Sequence, residues 1–134
     1  MGKMIVTYTS NLQTKAMHEQ SGSVIFTEAP VDNEGTGAGF SPTDMVASAL
    51  GSCILTIIGI SAKKNQFSID GAKVVVNKIM GTEPRRISAL DLNFDFRGLN
   101  LQDKEKRIVE YAIRNCPVAN SIHPDIKLNV VIDY

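Results

Sequence analysis

The segment SPTDMVASALGSCILTIIGISAKK, residues 41 to 64, sets the terms on which this chain can fold. Ser41 suits an N-cap, Pro42 the first helical position, and Asp44 the place where a carboxylate meets the unpaired amides of a first turn. Met45, Val46, Ala49, Leu50, Cys53, Ile54, Ile57, Ile58 and Ser61 then recur at the 3.6-residue period, which predicts a helix over 42–64 ended by Lys63-Lys64-Asn65. Its other faces carry Ala47, Ser48, Gly51, Ser52, Thr56 and Gly59, small residues that let another backbone approach, so the helix is expected to be enclosed on much of its circumference. Gly51 and Gly59 each cost roughly 1 kcal/mol of helix propensity relative to Ala, and a packing reason is expected at both.

Around this helix the remaining elements read as short strands and one further helix. Residues 4–9, 12–19 and 23–28 predict an amino-terminal antiparallel meander, followed by the glycine-rich loop APVDNEGTGAGF. Residues 66–79 and 86–96 predict a strand pair joined by MGTEPR; Leu90, Leu92, Phe94 and Phe96 alternate there with Asp91, Asn93 and Asp95, the pattern of a half-buried strand. KEKRIVEYAIRNC places Ile108, Ala112 and Cys116 on one helical face, with Pro117 forcing a stop or a new short turn through PVANSI, and IKLNVVIDY closes the sequence as a strand. The order β-β-β-α-β-β-α-β predicts a single α+β domain over 1–134, two helices covering one face of an antiparallel or mixed sheet.

Composition excludes several function classes. The 14 basic and 14 acidic side chains cancel, which offers no broad attraction for nucleic acid or an anionic membrane, and the basic pairs Lys63-Lys64 and Arg85-Arg86 read as solvated surface. No signal-peptide-like segment and no uninterrupted apolar run of 18 residues is present, so a soluble, cytoplasmic protein is expected. Two histidines and two cysteines show no compact metal-ligand spacing, and no glycine-rich stretch has the context of a phosphate or dinucleotide site, so neither metal nor cofactor is expected.

The cysteines hold the remaining chemistry. Cys53 and Cys116, with 62 residues between them, are either two buried hydrophobes or a redox couple, and composition does not decide between them. Cys53, in mid-helix, lacks the thiolate stabilisation of a helix amino terminus, whereas Cys116 can cap the turn opened by Pro117, where exposed amides face a sulfur. With the two helices side by side, the sulfurs can approach within disulfide reach.

SPTDMVASALGSC, followed by NCPVANSI and a terminal strand, resembles the OsmC/Ohr family of thiol peroxidases, named for an osmotically induced protein and for organic hydroperoxide resistance. The similarity runs over essentially the whole chain. It implies an intertwined homodimer with sites built across the subunit boundary. In such a site Cys53 attacks the peroxide, Cys116 resolves the resulting sulfenic acid to a disulfide, and an external dithiol or lipoyl-type reductant restores both thiols. The family's peroxidases use an arginine from the amino-terminal strands, yet this sequence has none before Arg85 and only Lys3, Lys15 and His18 as basic residues there. Thr43 stands where a partner glutamate is expected, with Asp44 beside it. Asp44 is nine residues from Cys53, about 13 Å of rise and on the opposite helix face, and reads as a capping residue. Arg85, Arg86, His18 and His123 are the other candidates to support the thiols, with Glu19 and Glu28 as acids able to orient a basic side chain. The competing reading is a non-peroxidatic dimer that binds a small apolar ligand and uses its cysteines structurally or in another thiol reaction.

Overall fold

A computed structural model describes residues 2–134 of the chain. They form two compact units, one ending at Val46 and the other spanning Ala47–Tyr134.

The first unit is an antiparallel sheet of β1 (Met4–Ser10), β2 (Gln13–His18) and β3 (Val24–Glu28), in that order. Asn11 and Leu12 turn the first hairpin with φ of 51° and 62°. The register places Met4, Val6, Tyr8, Ala16 and Ile25 on one face, and Ile5, Lys15, Met17, Val24 and Phe26 on the other. Large apolar side chains stand exposed on both faces, among them Met4, Val6, Tyr8 and Phe26. After β3 comes a single 3-10 turn, Val31–Asn33. The Glu28 carboxylate folds the loop beyond it back by accepting the Thr36 N–H at 2.7 Å and the Thr36 hydroxyl, with Gln13 Nε2 3.5 Å away.

Helix α1 spans Pro42–Lys64, as its periodicity and caps predict. Its start is a reciprocal capping box: Ser41 N–H donates to Asp44 Oδ2 at 2.9 Å, and Asp44 N–H donates to Ser41 Oγ at 3.1 Å. By length and mean hydropathy, 2.0 over its most apolar window, α1 suffices to cross a membrane. Its residues Leu50, Ile54, Ile58 and Ala62 are nevertheless buried inside the protein.

The second unit completes a sheet of β4 (Lys73–Gly81), β5 (Arg86–Asp95) and β6 (Lys127–Asp133), with α2 (Asp103–Ile113) between β5 and β6. β5 pairs antiparallel with β4 and parallel with β6, so the sheet is mixed. The parallel pairing requires a crossover, which α2 supplies. Leu50, Ile54 and Ile58 of α1, Val109 and Ala112 of α2, and Leu90, Leu92, Phe94 and Phe96 share one core with Cys116. Gly51 marks the close approach of α1 to β4: a Cβ there would lie 3.0 Å from Val76 Cγ2 and 3.1 Å from Val74 Cγ1.

Four expectations change. The strands form two three-stranded sheets rather than one. β4 begins at Lys73, not at residue 66, because Phe67 and Ile69 are core-packed residues of a loop that turns at Gly71, φ 87°. α2 ends at Ile113, so Cys116 lies outside the helix; the residue before a proline is driven away from helical backbone. Finally, α1 is buried along one side only, with Ala49, Ser52, Thr56 and Ile60 exposed, and no heavy atom meets a Cβ built on Gly59 within 4 Å.

Candidate active site

The two sulfurs meet. Cys53, half-buried on α1, packs into the core that contains the wholly buried Cys116, close enough for the two side chains to interact, and both are free thiols. α1 runs away from this point toward Lys64 and α2 runs toward it, so the helices are antiparallel neighbours with the thiols at one end of their interface.

Local structure holds Cys116 in place. Asn120 N–H donates to the Cys116 carbonyl at 3.1 Å and Ile122 N–H to that of Val118 at 3.1 Å, a single helical turn opened by Pro117. Cys116 caps that turn, with Ala119 N–H directed at Sγ from 3.5 Å and a further backbone contact from Val118. The amides favour a sulfur anion, but they do not prevail. Burial, then the hydrogen bond to Cys53, push the Cys116 thiol above its ordinary value. Burial thus keeps the proton on the Cys116 sulfur.

The other candidates are occupied locally. Arg86 Nη1 donates to the carbonyls of Thr82 (2.9 Å) and Pro84 (3.0 Å), closing the β4–β5 hairpin. Val76, against which Gly51 packs, pairs with Leu92, and Arg86 lies six residues farther along β5, about 20 Å at ~3.3 Å per residue. Arg86 of the same chain is therefore out of reach of Cys53. Arg85 lies in the hairpin turn. His123 Nδ1 accepts the Asp125 N–H at 3.0 Å in an exposed loop, and His18 Nδ1 contacts Ser21 Oγ at 2.6 Å beside the β2–β3 turn. Asp44 is engaged in the α1 cap, as its spacing from Cys53 implies. Among the described residues no group of three or more His, Cys, Asp or Glu side chains could hold a metal ion. Sequence reasoning passed over the basic cleft between the far ends of α1 and α2, whose signal was the spacing of Lys104, Arg107 and Tyr111.

Residues 35–131 match the family model of OsmC-like proteins. A provisionally described osmotic stress induced and detoxification response protein from Psychrobacter arcticus 273-4 is 46% identical over 99% of this chain and 96% of its own, with a TM-score of 0.93. An organic hydroperoxide resistance protein OsmC from Legionella pneumophila shares the fold at 16% identity (TM-score 0.76; 98% and 97% of the two chains). So does a provisionally described organic hydroperoxide resistance protein from Vibrio cholerae O1, whose structure holds captopril in one of its active sites, at 17% identity (TM-score 0.74; 97% and 90%). No curated protein sequence matches the chain. The family match over most of the sequence and the 46% identical relative have one meaning: the chain belongs to the OsmC/Ohr family.

Proposed function

We propose that the protein reduces organic hydroperoxides with a cysteine pair, Cys53 as the peroxidatic and Cys116 as the resolving thiol. The observation that carries this is the proximity, in one core, of two thiols separated by 62 residues of sequence. The Cys53 thiolate attacks one peroxide oxygen, the O–O bond breaks, and Cys53 becomes a sulfenic acid as the alcohol leaves with a proton. The Cys116 sulfur then attacks the sulfenic sulfur, forming the disulfide and releasing water. An external dithiol, oxidised to its own disulfide, returns both thiols. The asymmetry at the pair agrees with this division, because the sulfur held protonated by burial stays in reserve until Cys53 is oxidised and then resolves it. Two relatives named for organic hydroperoxide resistance share the fold, which is consistent with the substrate class.

A homodimer forms part of this reading. Apolar side chains on both faces of the β1–β3 sheet and the exposed Ala49, Ser52, Thr56 and Ile60 stripe of α1 are surfaces that a second copy would cover. Light scattering after gel filtration is expected to give twice the chain mass.

The non-peroxidatic reading draws on Arg86 and His123, whose polar groups are engaged locally and leave Cys53 without their help. Reduced protein mixed with cumene hydroperoxide and dithiothreitol separates the two. Expected are catalytic loss of peroxide in the wild type, none in Cys53→Ser, and in Cys116→Ser a single turnover that leaves a dimedone-reactive sulfenic acid. No turnover in the wild type, or turnover indifferent to Cys53→Ser, would instead favour an apolar-ligand module.

A further inference from the structure

At the end of the α1–α2 interface remote from the thiols, Ser61, Lys64 and Asn65 face Lys104, Arg107, Ile108 and Tyr111 across an open cleft of about 420 Å³. The α2 residues fall at i, i+3, i+4 and i+7, one continuous stripe, and Ser61 and Lys64 of α1 at i and i+3, with Asn65 just beyond the helix end. Three cations thus converge on one surface of a chain whose 14 basic and 14 acidic side chains balance overall. No ion pair among the described residues engages Lys64, Lys104 or Arg107, and no acid lines the cleft. Two acids of α2 are committed elsewhere: Glu105 accepts the Gln102 N–H at 2.8 Å, and Glu110 accepts the Tyr134 hydroxyl at 2.9 Å. Lys106, the remaining cation of this helix, lies over the Tyr134 ring, 5.0 Å from its centroid. Between the three free charges, Tyr111 is 74% exposed and Ile108 half-buried, an apolar floor within a basic rim.

From this charge complementarity we propose that the cleft docks an acidic segment of a partner protein, one carrying an apolar side chain among its carboxylates. The partner's carboxylates pair with Lys64, Lys104 and Arg107 while its apolar side chain covers Tyr111 and Ile108. A small-molecule anion is the weaker fit. The cleft is open, and its cations stand on long exposed side chains rather than as a few fixed polar groups in an enclosed pocket. From Lys104 to Tyr111 the stripe spans about 10 Å at ~1.5 Å per residue, the reach of three or four extended residues. The proposal is independent of the thiol chemistry, since Lys64 lies eleven residues, about 16 Å of helix rise, from Cys53.

The test uses the full chain, labelled with nitrogen-15, and the synthetic peptide Asp-Glu-Leu-Asp-Glu-Phe, with Lys-Lys-Leu-Lys-Lys-Phe as control. The acidic peptide is expected to shift the amides of Lys64, Asn65, Lys104, Arg107, Ile108 and Tyr111 in a saturable way. Its affinity should fall about tenfold or more in the K64A/K104A/R107A variant and severalfold in Tyr111→Ala. It should also weaken as salt rises from about 50 to about 300 mM, which shortens the Debye length from ~14 to ~6 Å. All four side chains are exposed or rim the cleft, so the variants should keep the wild-type melting curve and peroxide turnover. Equal binding by the triple variant, or no shift at these amides, overturns the proposal. It is equally overturned if inorganic phosphate or benzoate saturates the same shifts as tightly as the peptide, which would make the cleft a small-anion site. A change in oligomeric state in the triple variant would assign it to self-association.

Discussion

Replacing Gly51 by Ala tests how tightly the cysteine helix is seated. On propensity alone the change should stabilise α1 by about 1 kcal/mol. The new methyl, however, would lie 3.0 Å from Val76 Cγ2 and 3.1 Å from Val74 Cγ1, where carbon atoms normally rest about 3.5 to 4.0 Å apart. Both neighbours are β-branched residues on a strand, with little freedom to swing aside, so helix and sheet must separate by several tenths of an ångström. Overpacking of this kind costs about 1–3 kcal/mol, which outweighs the helical gain and leaves a net loss of about 1 kcal/mol. Removing Val76 Cγ2 should relieve half of the crowding. Val76→Ala alone is expected to cost about 1–2 kcal/mol. Gly51→Ala made in that background should then be neutral, a coupling of about 1 kcal/mol between the two sites. Urea unfolding of the four proteins at one fixed protein concentration gives the cycle, because the stability of a dimer depends on concentration. A Gly51→Ala protein more stable than wild type, or strictly additive changes, would refute the reasoning and leave Gly51 a residue tolerated rather than required.

Two further outcomes follow from the electrostatics. Because the Cys116 pKa is raised, its folded state favours the thiol: the associated stability is full below the ordinary thiol range near 9 and is lost as pH rises through and above it. In a Cys53→Ser background, where Cys116 is the sole thiol, alkylation by iodoacetamide should lag behind a model thiol up to about pH 9, and equal rates would contradict this. Glu28 has a lowered pKa, first from the Thr36 hydroxyl and then from the Thr36 amide, so it steadies its loop above the ordinary carboxylate value of 4.5 and releases it as pH falls below. Glu28→Gln should therefore speed amide exchange at Thr36 near neutral pH and flatten the acid dependence; unchanged exchange would mean that the contact does not hold the loop.

Local signals were the legible ones. Ser41, Pro42 and Asp44 mark the start of α1 to the residue, and the alternation from Leu90 to Phe96 marks the buried face of β5, because caps and periodicity are written in neighbouring residues. Pro117 likewise marks Cys116 as the cap of the turn that follows, since a proline constrains its own surroundings. The start of β4 was obscured because Phe67 and Ile69 are apolar for the core's sake while their backbone is a loop; hydrophobicity reports burial before it reports conformation. The two sheets, the parallel β5–β6 pair and the basic cleft depend on residues far apart in sequence, and no local pattern specifies which distant segments meet. The expectation of a packing partner at Gly59 was unmet within the chain for the same reason that Gly51 met one: propensity says that a glycine is costly and leaves open what, if anything, lies opposite.

The parallel pairing of β6 beside β5 also fixes an order of events during synthesis. β6 leaves the ribosome after both cysteines and after α2, and until it joins β5 the sheet lacks the strand whose arrival closes the crossover over the core. Phe96 N–H waits for the Asp133 carbonyl, 2.8 Å away in the finished fold, and the Phe96 ring for Tyr134. A nascent chain therefore carries Cys53 and Cys116 through a period in which the core they share, against which Ile132 of β6 packs, is incomplete. Whatever oxidant or disulfide it meets then, it meets before the geometry that matches one sulfur to the other has been completed.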